Sequence, residues 1–272
     1  MRAGDKVITG RSPDNMLDAL EALLRELGDM LLEWRGRGAT GGRWEGTQFK
    51  ARADRQAHDF LSDRLAAFQP ALPVVSEEDE ARAGRRPEEY WLIDPIDGTA
   101  SFCQGFDGFV TQAALMRRCE PILAVVHAAA LGLTYTALRD GRARCNGVPI
   151  STSAPARRAP ILTDNYPEPR GVARDVYDAI GCGGYVESGS IGLKICRVAD
   201  ATADLFVKDV IVRDWDLAPA HLILERAGGV LTTLAGDPIP YDGGFERAGL
   251  IAAAHGSLAR QVRDCNKAKR NE

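Results

Sequence analysis

Residues 90–102 read YWLIDPIDGTASF: an apolar run from Tyr90 to Ile93 that ends in two aspartates three positions apart, Asp94 and Asp97, followed at once by Gly98 and Thr99. Strand-forming residues stopped by turn residues mark a buried strand leaving the interior. Pro95 keeps Asp94 extended and favours a turn, so the two carboxylates can face one point in spite of their repulsion. A hard divalent cation removes that repulsion, and Mg2+ takes carboxylates, carbonyls and water while sharing its shell with substrate phosphate. Gly98 lets the backbone come close to a ligand, and amides near Thr99 and Ala100, if they begin a helix, can donate to phosphate oxygens.

The same arrangement recurs on either side. PVVSEED (73–79) ends a short apolar run in Glu77, Glu78 and Asp79, and VRDWD (212–216) brings Asp214 and Asp216 to the start of an apolar helix. Strand ends are where layered α/β folds collect their sites. Taken singly, an acidic loop, a DxxD turn and a WD helix start are ordinary solvated or capping features. Their joint occurrence, in this order and around the string DPIDGT, is what points to a metal-assisted site.

The global numbers fit a small, anionic substrate held locally. The chain has 272 residues, 45% hydrophobic and 26% charged, which is enough to bury a large core in one domain or two subdomains. A net charge of -4 with a pI near 5.7 provides no bulk basic field for duplex nucleic acid. Six scattered cysteines without a Cys-x-x-Cys pair, and an N-terminal MRAGDKVITG without a signal-peptide core, lead us to expect reduced thiols, a cytoplasmic protein and no membrane.

SPDNMLDALEALLRELGDMLLEW (12–34) spaces Leu17, Leu20, Leu24, Leu27, Leu31 and Trp34 three or four apart, with Ser12 as N-cap and Pro13 at the first helical position. A second helical pattern starts near Ala53 and carries Asp54 in its first turn. From residue 73 the runs become strand-like: PVV, YWLI, FVTQAAL, PILAVVHAA and LTYTAL. STSAPARRAP (151–160) reads as a linker, and beyond it strands and helices alternate. The expected division is therefore 1–152, carrying most acidic positions, and 153–272, carrying Asp216. His58, His127, His221 and His255 are expected to be core or surface residues, and Cys103 a packing residue.

DPIDGT, WDLAPAHLILERAGG and SEED resemble the diagnostic motifs of the inositol monophosphatase-like, Mg2+-dependent and lithium-sensitive phosphatases, and the likeness extends over roughly the whole chain. The resemblance implies an α-β-α-β-α five-layer sandwich, a small phosphorylated substrate and two or three Mg2+ ions, and leaves a homodimer open. By motif position it implies Glu77, Asp94, the Ile96 carbonyl, Asp97 and Asp216 as metal ligands. Thr99, with Glu77, would orient the attacking water. Asp54 lies where the family often has a further acid near a third metal, although its flank KARAD departs from the usual pattern.

Substrate contacts would come from Asp97, Gly98, Thr99, Ala100, Ser190, Lys194 and Asp216. SGSIGLKICRVADATADLFV (188–207) resembles the segment that lies against the nucleotide in the 3'(2'),5'-bisphosphate nucleotidases, where Lys194 would pair with a second phosphate; a helix-surface lysine is the plain alternative. Ala100-Ser101-Phe102 after DGT matches neither the inositol nor the nucleotide branch. The expected activity is that of a bisphosphate nucleotidase, with an inositol or sugar phosphatase as the alternative. A catalytically silent binding protein and a metal-dependent transferase are the readings from other classes, the latter lacking a glycine-rich donor loop near the N-terminus.

Overall fold

The computed structural model describes residues 12–38, 42–45, 48–69, 71–79, 86–153 and 159–270, side chains of 42–51 and 268–270 aside. The expectation for the extreme N-terminus and the centre of the expected linker, 154–158, lie outside the described residues. Helix α1 (Pro13–Gly36) begins as its sequence dictates: the Ser12 hydroxyl accepts from the Asn15 amide at 3.3 Å, and Pro13 occupies the first turn. After a hairpin of β1 (Gly42–Glu45) and β2 (Gln48–Ala51) comes helix α2 (Arg52–Phe68).

A seven-stranded sheet follows, in the spatial order of the chain: β3 (Val74–Ser76), β4 (Glu89–Asp97), β5 (Val110–Arg117), β6 (Glu120–Ala128), β7 (Leu133–Leu138), β8 (Arg144–Cys145) and β9 (Val148–Pro149). Only β3 and β4 pair in parallel; the rest are antiparallel. Between β4 and β5 lies the short helix α3 (Thr99–Gln104).

A second sheet has the order β11 (Gly184–Glu187), β10 (Ile161–Asp164), β12 (Leu205–Arg213), β14 (Glu246–Ala253), β13 (Val230–Thr232). Its helices are α4 (Val172–Ile180), α5 (Ile191–Ala199), α6 (Asp214–Arg226) and α7 (Gly256–Arg270). The layers run α1/α2, first sheet, α5/α6, second sheet, α4/α7.

Strand β4 shows why YWLI is apolar without interruption. Trp91 and Ile93 pack toward α1 and α2 with Leu20, Leu24, Leu27 and Leu61, whereas Tyr90 and Leu92 pack on the other face with Leu193, Leu217 and Ile223 of α5 and α6. A strand covered on both faces has no polar side, so alternation disappears. The third apolar cluster, with Leu162, Val176, Val207, Ile251, Leu258 and Val262, seals the second sheet against α4 and α7.

All six cysteines are free thiols, and among the described residues no helix is long and apolar enough to cross a membrane. His127 is a core residue, its Nδ1 2.9 Å from the Thr134 hydroxyl, and burial pushes its pKa down to about 4. Cys103 packs against the α1/α2 core, where burial raises its thiol pKa to about 11.

Candidate active site

Opposite β5, strand β4 carries one extra residue between Asp94, which faces Gln112, and Asp97, which faces Val110. That bulge re-aims the strand end, as bulges do beside functional sites. The Ile96 amide donates to Asp94 Oδ1 at 3.1 Å, closing a local turn around Pro95. Gly98 has φ of 90°, a left-handed conformation that favours glycine, and ends the strand so that α3 starts at Thr99.

The Thr99 hydroxyl lies 2.8 Å from Asp54 Oδ1 and 3.2 Å from the Ile96 carbonyl, its single proton shared between the two acceptors. Asp54, in the first turn of α2, is therefore joined to the turn of β4 despite its divergent flank. At the end of β3, the Ser76 hydroxyl accepts from the Glu78 amide at 3.3 Å and meets His58 Nδ1 at 3.0 Å, and this fixes the turn that bears Glu77.

From the other side of the fold, Asp216 sits in the first turn of α6 and its Oδ2 accepts from the Arg213 amide at 2.7 Å. Asp97 receives the start of α5: the Gly192 amide at 2.7 Å and the Gln112 side-chain nitrogen at 3.2 Å both donate to Oδ2, and the Ile191 amide reaches Oδ1 at 3.4 Å.

The electrostatics tie these acids into one group. Asp94 is held well above the usual carboxylate range, first by burial and then by the charges of Glu77, Asp97, Asp216 and Asp54. Asp216 is raised by burial, then by Asp97 and Glu77. Burial raises Asp97 too, against the opposing pull of the Gly192 amide and Lys194. Among the described residues, no three His, Cys, Asp or Glu side chains close into a finished ligand cage. The donor set nevertheless fits Mg2+: it is all oxygen, Asp54, Asp94 and Asp97 are buried with Glu77 and Asp216 part-exposed, and its members destabilise one another's ionised forms in the absence of a cation.

Ser190 caps α5, accepting from the Leu193 amide at 3.1 Å, while its own amide donates to the Gly108 carbonyl at 2.6 Å, so the segment before α5 lies on the loop after α3. Lys194 is not a helix-surface lysine. Its side chain is fully buried, with the ammonium against the Asn165 side chain and the Gly189 carbonyl and 4.9 Å from the centre of the Phe206 ring. Burial pulls its pKa down to about 7, with Asp164 and Asp97 working to raise it.

Sequence reading passed over Gln112, whose only signal is a lone amide in the run FVTQAALM. It also missed the cluster of Arg86, Asp214 and Arg247, where Arg86 donates to Asp214, the Tyr90 hydroxyl and two backbone carbonyls and stacks on Phe245.

The IMPase of Thermotoga maritima is 25% identical, with a TM-score of 0.79 over 93% of this chain and 98% of that one. The extragenic suppressor protein suhB of Bartonella henselae, 22% identical with a TM-score of 0.80 over 93% of this chain and 99% of its own, bears on the fold alone. A curated relative in Escherichia coli (strain K12), named 3'(2'),5'-bisphosphate nucleotidase CysQ, is 30% identical over 194 residues, which is 70% of this chain and 78% of that protein. Its namesake in Haemophilus influenzae is 30% identical over 203 residues, 70% of this chain and 74% of its own. With the pattern of the inositol monophosphatase family matching residues 12–267, almost the entire chain, the protein belongs to that family and is a phosphatase.

Proposed function

We propose that the chain is a Mg2+-dependent 3'(2'),5'-bisphosphate nucleotidase that converts adenosine 3',5'-bisphosphate to AMP and phosphate. The observation that carries the phosphatase site is the electrostatic union of Asp54, Glu77, Asp94, Asp97 and Asp216, drawn from four elements around Thr99. The choice of substrate rests on the similarity to the nucleotidases named CysQ.

In this reading residues 1–152 supply most metal ligands: Glu77, Asp94, the Ile96 carbonyl and Asp97. Residues 153–272 supply Asp216 and the substrate-facing segment with Ser190 and Lys194. The family is generally Mg2+-dependent, and two or three bound ions would supply charge neutralisation at the phosphoryl oxygens and a more acidic water. The chain's own part is positional. Thr99, held by Asp54, and Glu77 orient the water that attacks phosphorus; its oxygen bonds to phosphorus and it gives up a proton, the bond from phosphorus to the ester oxygen breaks, and the departing alkoxide takes up one proton from solvent. The Gly98, Thr99 and Ala100 backbone cradles the phosphate.

Lys194 contributes from beneath the surface. It ties Gly189 to Asn165 and places positive charge under the segment that would face the second phosphate. Lys194→Met should raise KM for adenosine 3',5'-bisphosphate more than for adenosine 3'-phosphate, but by less than the roughly tenfold of a direct charge-assisted contact, because the buried ammonium acts through Asn165 and Gly189. Substrate choice is tested by phosphate release with Mg2+ from adenosine 3',5'-bisphosphate, inositol 1-phosphate, fructose 1,6-bisphosphate and other sugar phosphates, with the highest kcat/KM expected for the bisphosphate nucleotide. A preference for inositol 1-phosphate would instead favour the inositol phosphatase reading, which the likeness to the Thermotoga maritima IMPase supports.

A further inference from the structure

Gln112 lies in β5 directly across from Asp94 and is fully buried. Its amide nitrogen has two protons and meets two acceptors: Asp97 Oδ2 at 3.2 Å and the main-chain carbonyl of Asp216 at 3.5 Å. Its own oxygen, Oε1, is buried without a protein partner. A leucine of similar size would carry no orphaned acceptor but would leave both Asp97 Oδ2 and the Asp216 carbonyl without this donor, so the amide is explained by Asp97 and Asp216 and not by apolar packing.

Gly192, in the first turn of α5, makes the same point independently. Its backbone is not in the left-handed region, and an alanine would serve the helix better. A Cβ there would stand 2.4 Å from Gln112 Oε1 and 3.0 Å from Asp97 Oδ2. Glycine leaves room for the Gln112 amide while its own N–H donates to Asp97 Oδ2 at 2.7 Å. Oδ2 is thus held by donors at 2.7 and 3.2 Å, whereas the Ile191 amide reaches Oδ1 at 3.4 Å, and the Ser190 hydroxyl also bonds the Asp97 carboxylate.

We propose that Gln112 is a positioning residue for the metal centre. It pins one oxygen of Asp97 and ties it to the first turn of α6, so that Asp97 Oδ1 is the oxygen presented to Mg2+ and Asp97 and Asp216 keep a fixed relation across the two sheets. This rests on Asp97 and Asp216 being Mg2+ ligands. Partners that orient a ligand set its affinity for metal, and losing one typically weakens binding about 10- to 100-fold.

The test is calorimetric titration of Mg2+ into the substrate-free protein, compared among wild type, Gln112→Leu, Gly192→Ala and Asp97→Asn, with melting in EDTA recorded for each. Gln112→Leu should weaken Mg2+ binding roughly 10- to 100-fold while still melting cooperatively as a folded protein in EDTA, and its kcat should recover at saturating Mg2+. Gly192→Ala, which displaces the amide without removing it, should weaken Mg2+ binding in the same direction. It decides the matter should Gln112→Leu not fold. Wild-type Mg2+ affinity in these two variants, with binding lost in Asp97→Asn, overturns the role of Gln112 and leaves the metal ligands standing. Wild-type affinity in Asp97→Asn, or no Mg2+ binding by the wild type, overturns both.

Discussion

Arg86→Met tests whether the buried ion cluster holds the first turn of α6. The Arg86 side chain is 5% exposed and Asp214 is 0% exposed. Removing one partner of a buried pair costs about 3 to 5 kcal/mol, because an uncompensated charge stays behind. Here Arg247 remains, with its nitrogens 3.2 Å from both Asp214 oxygens, so part of the compensation survives. The Gly243 and Gly244 carbonyls lose a donor at exposed positions, where water replaces it. Methionine keeps apolar contact with the Phe245 ring that Arg86 covers. The net expectation is a loss of about 2 to 4 kcal/mol. In urea unfolding with an m-value of about 3 kcal/mol/M, the midpoint falls by roughly 1 M. Adding Asp214→Leu together with Arg247→Met should restore most of the loss, since replacing a whole buried ion cluster by apolar groups is often neutral. A single-variant loss below about 1 kcal/mol would refute the reasoning.

Thr99→Ala removes the hydroxyl that joins Asp54 to the turn of β4, and should lower kcat about 100-fold or more while leaving the Mg2+ half-saturation nearly unchanged; recovery of full kcat by extra Mg2+ would count against an orienting role. His127 is neutral in the fold because burial lowers its pKa from 6.5 to about 4. The unfolded chain binds that proton first, so this contribution is present above pH 6.5 and is lost as pH falls from about 6.5 to about 4, on the order of 3 kcal/mol. His127→Gln should flatten that part of the pH–stability curve, and an unaltered slope in urea titrations would contradict it.

The parts of the fold that a single sequence discloses are those fixed by local spacing. The 3.6-residue period and the Ser12-Pro13 start define α1, and the unbroken YWLI identifies a strand covered on both faces. DPIDGT shows its turn because Pro95, Gly98 and the following helix start are neighbours in the chain. The hairpin Gly42–Ala51 has no alternating apolar pattern to betray it. Strand β12 runs well past DLFV, its register shifting between Lys208 and Ile211, so that Ile211 comes out 63% exposed where an apolar residue suggests burial.

The acids of the site were legible because carboxylates at strand ends are conspicuous. Their supports were not. Gln112, Gly192 and Asp214 act on partners distant in sequence, and nothing in FVTQAALM or RDWD announces those partners. Lys194 reads in the sequence as a partner for a second phosphate or as a helix-surface lysine, and neither reading discloses its burial, because burial between α5 and the second sheet depends on a layer contact that no local pattern encodes.

The central claim, that these carboxylates form a Mg2+-dependent phosphatase site, is tested most directly by phosphate release from adenosine 3',5'-bisphosphate as Mg2+ is returned to EDTA-treated protein, with Asp216→Asn in parallel. The account predicts a folded but silent protein that regains turnover saturably with Mg2+, and a variant that folds yet stays at least about 100-fold slower at every Mg2+ concentration, because one charged ligand of the transition state is gone. Turnover that survives EDTA treatment, or an Asp216→Asn variant as fast as the wild type, would contradict it.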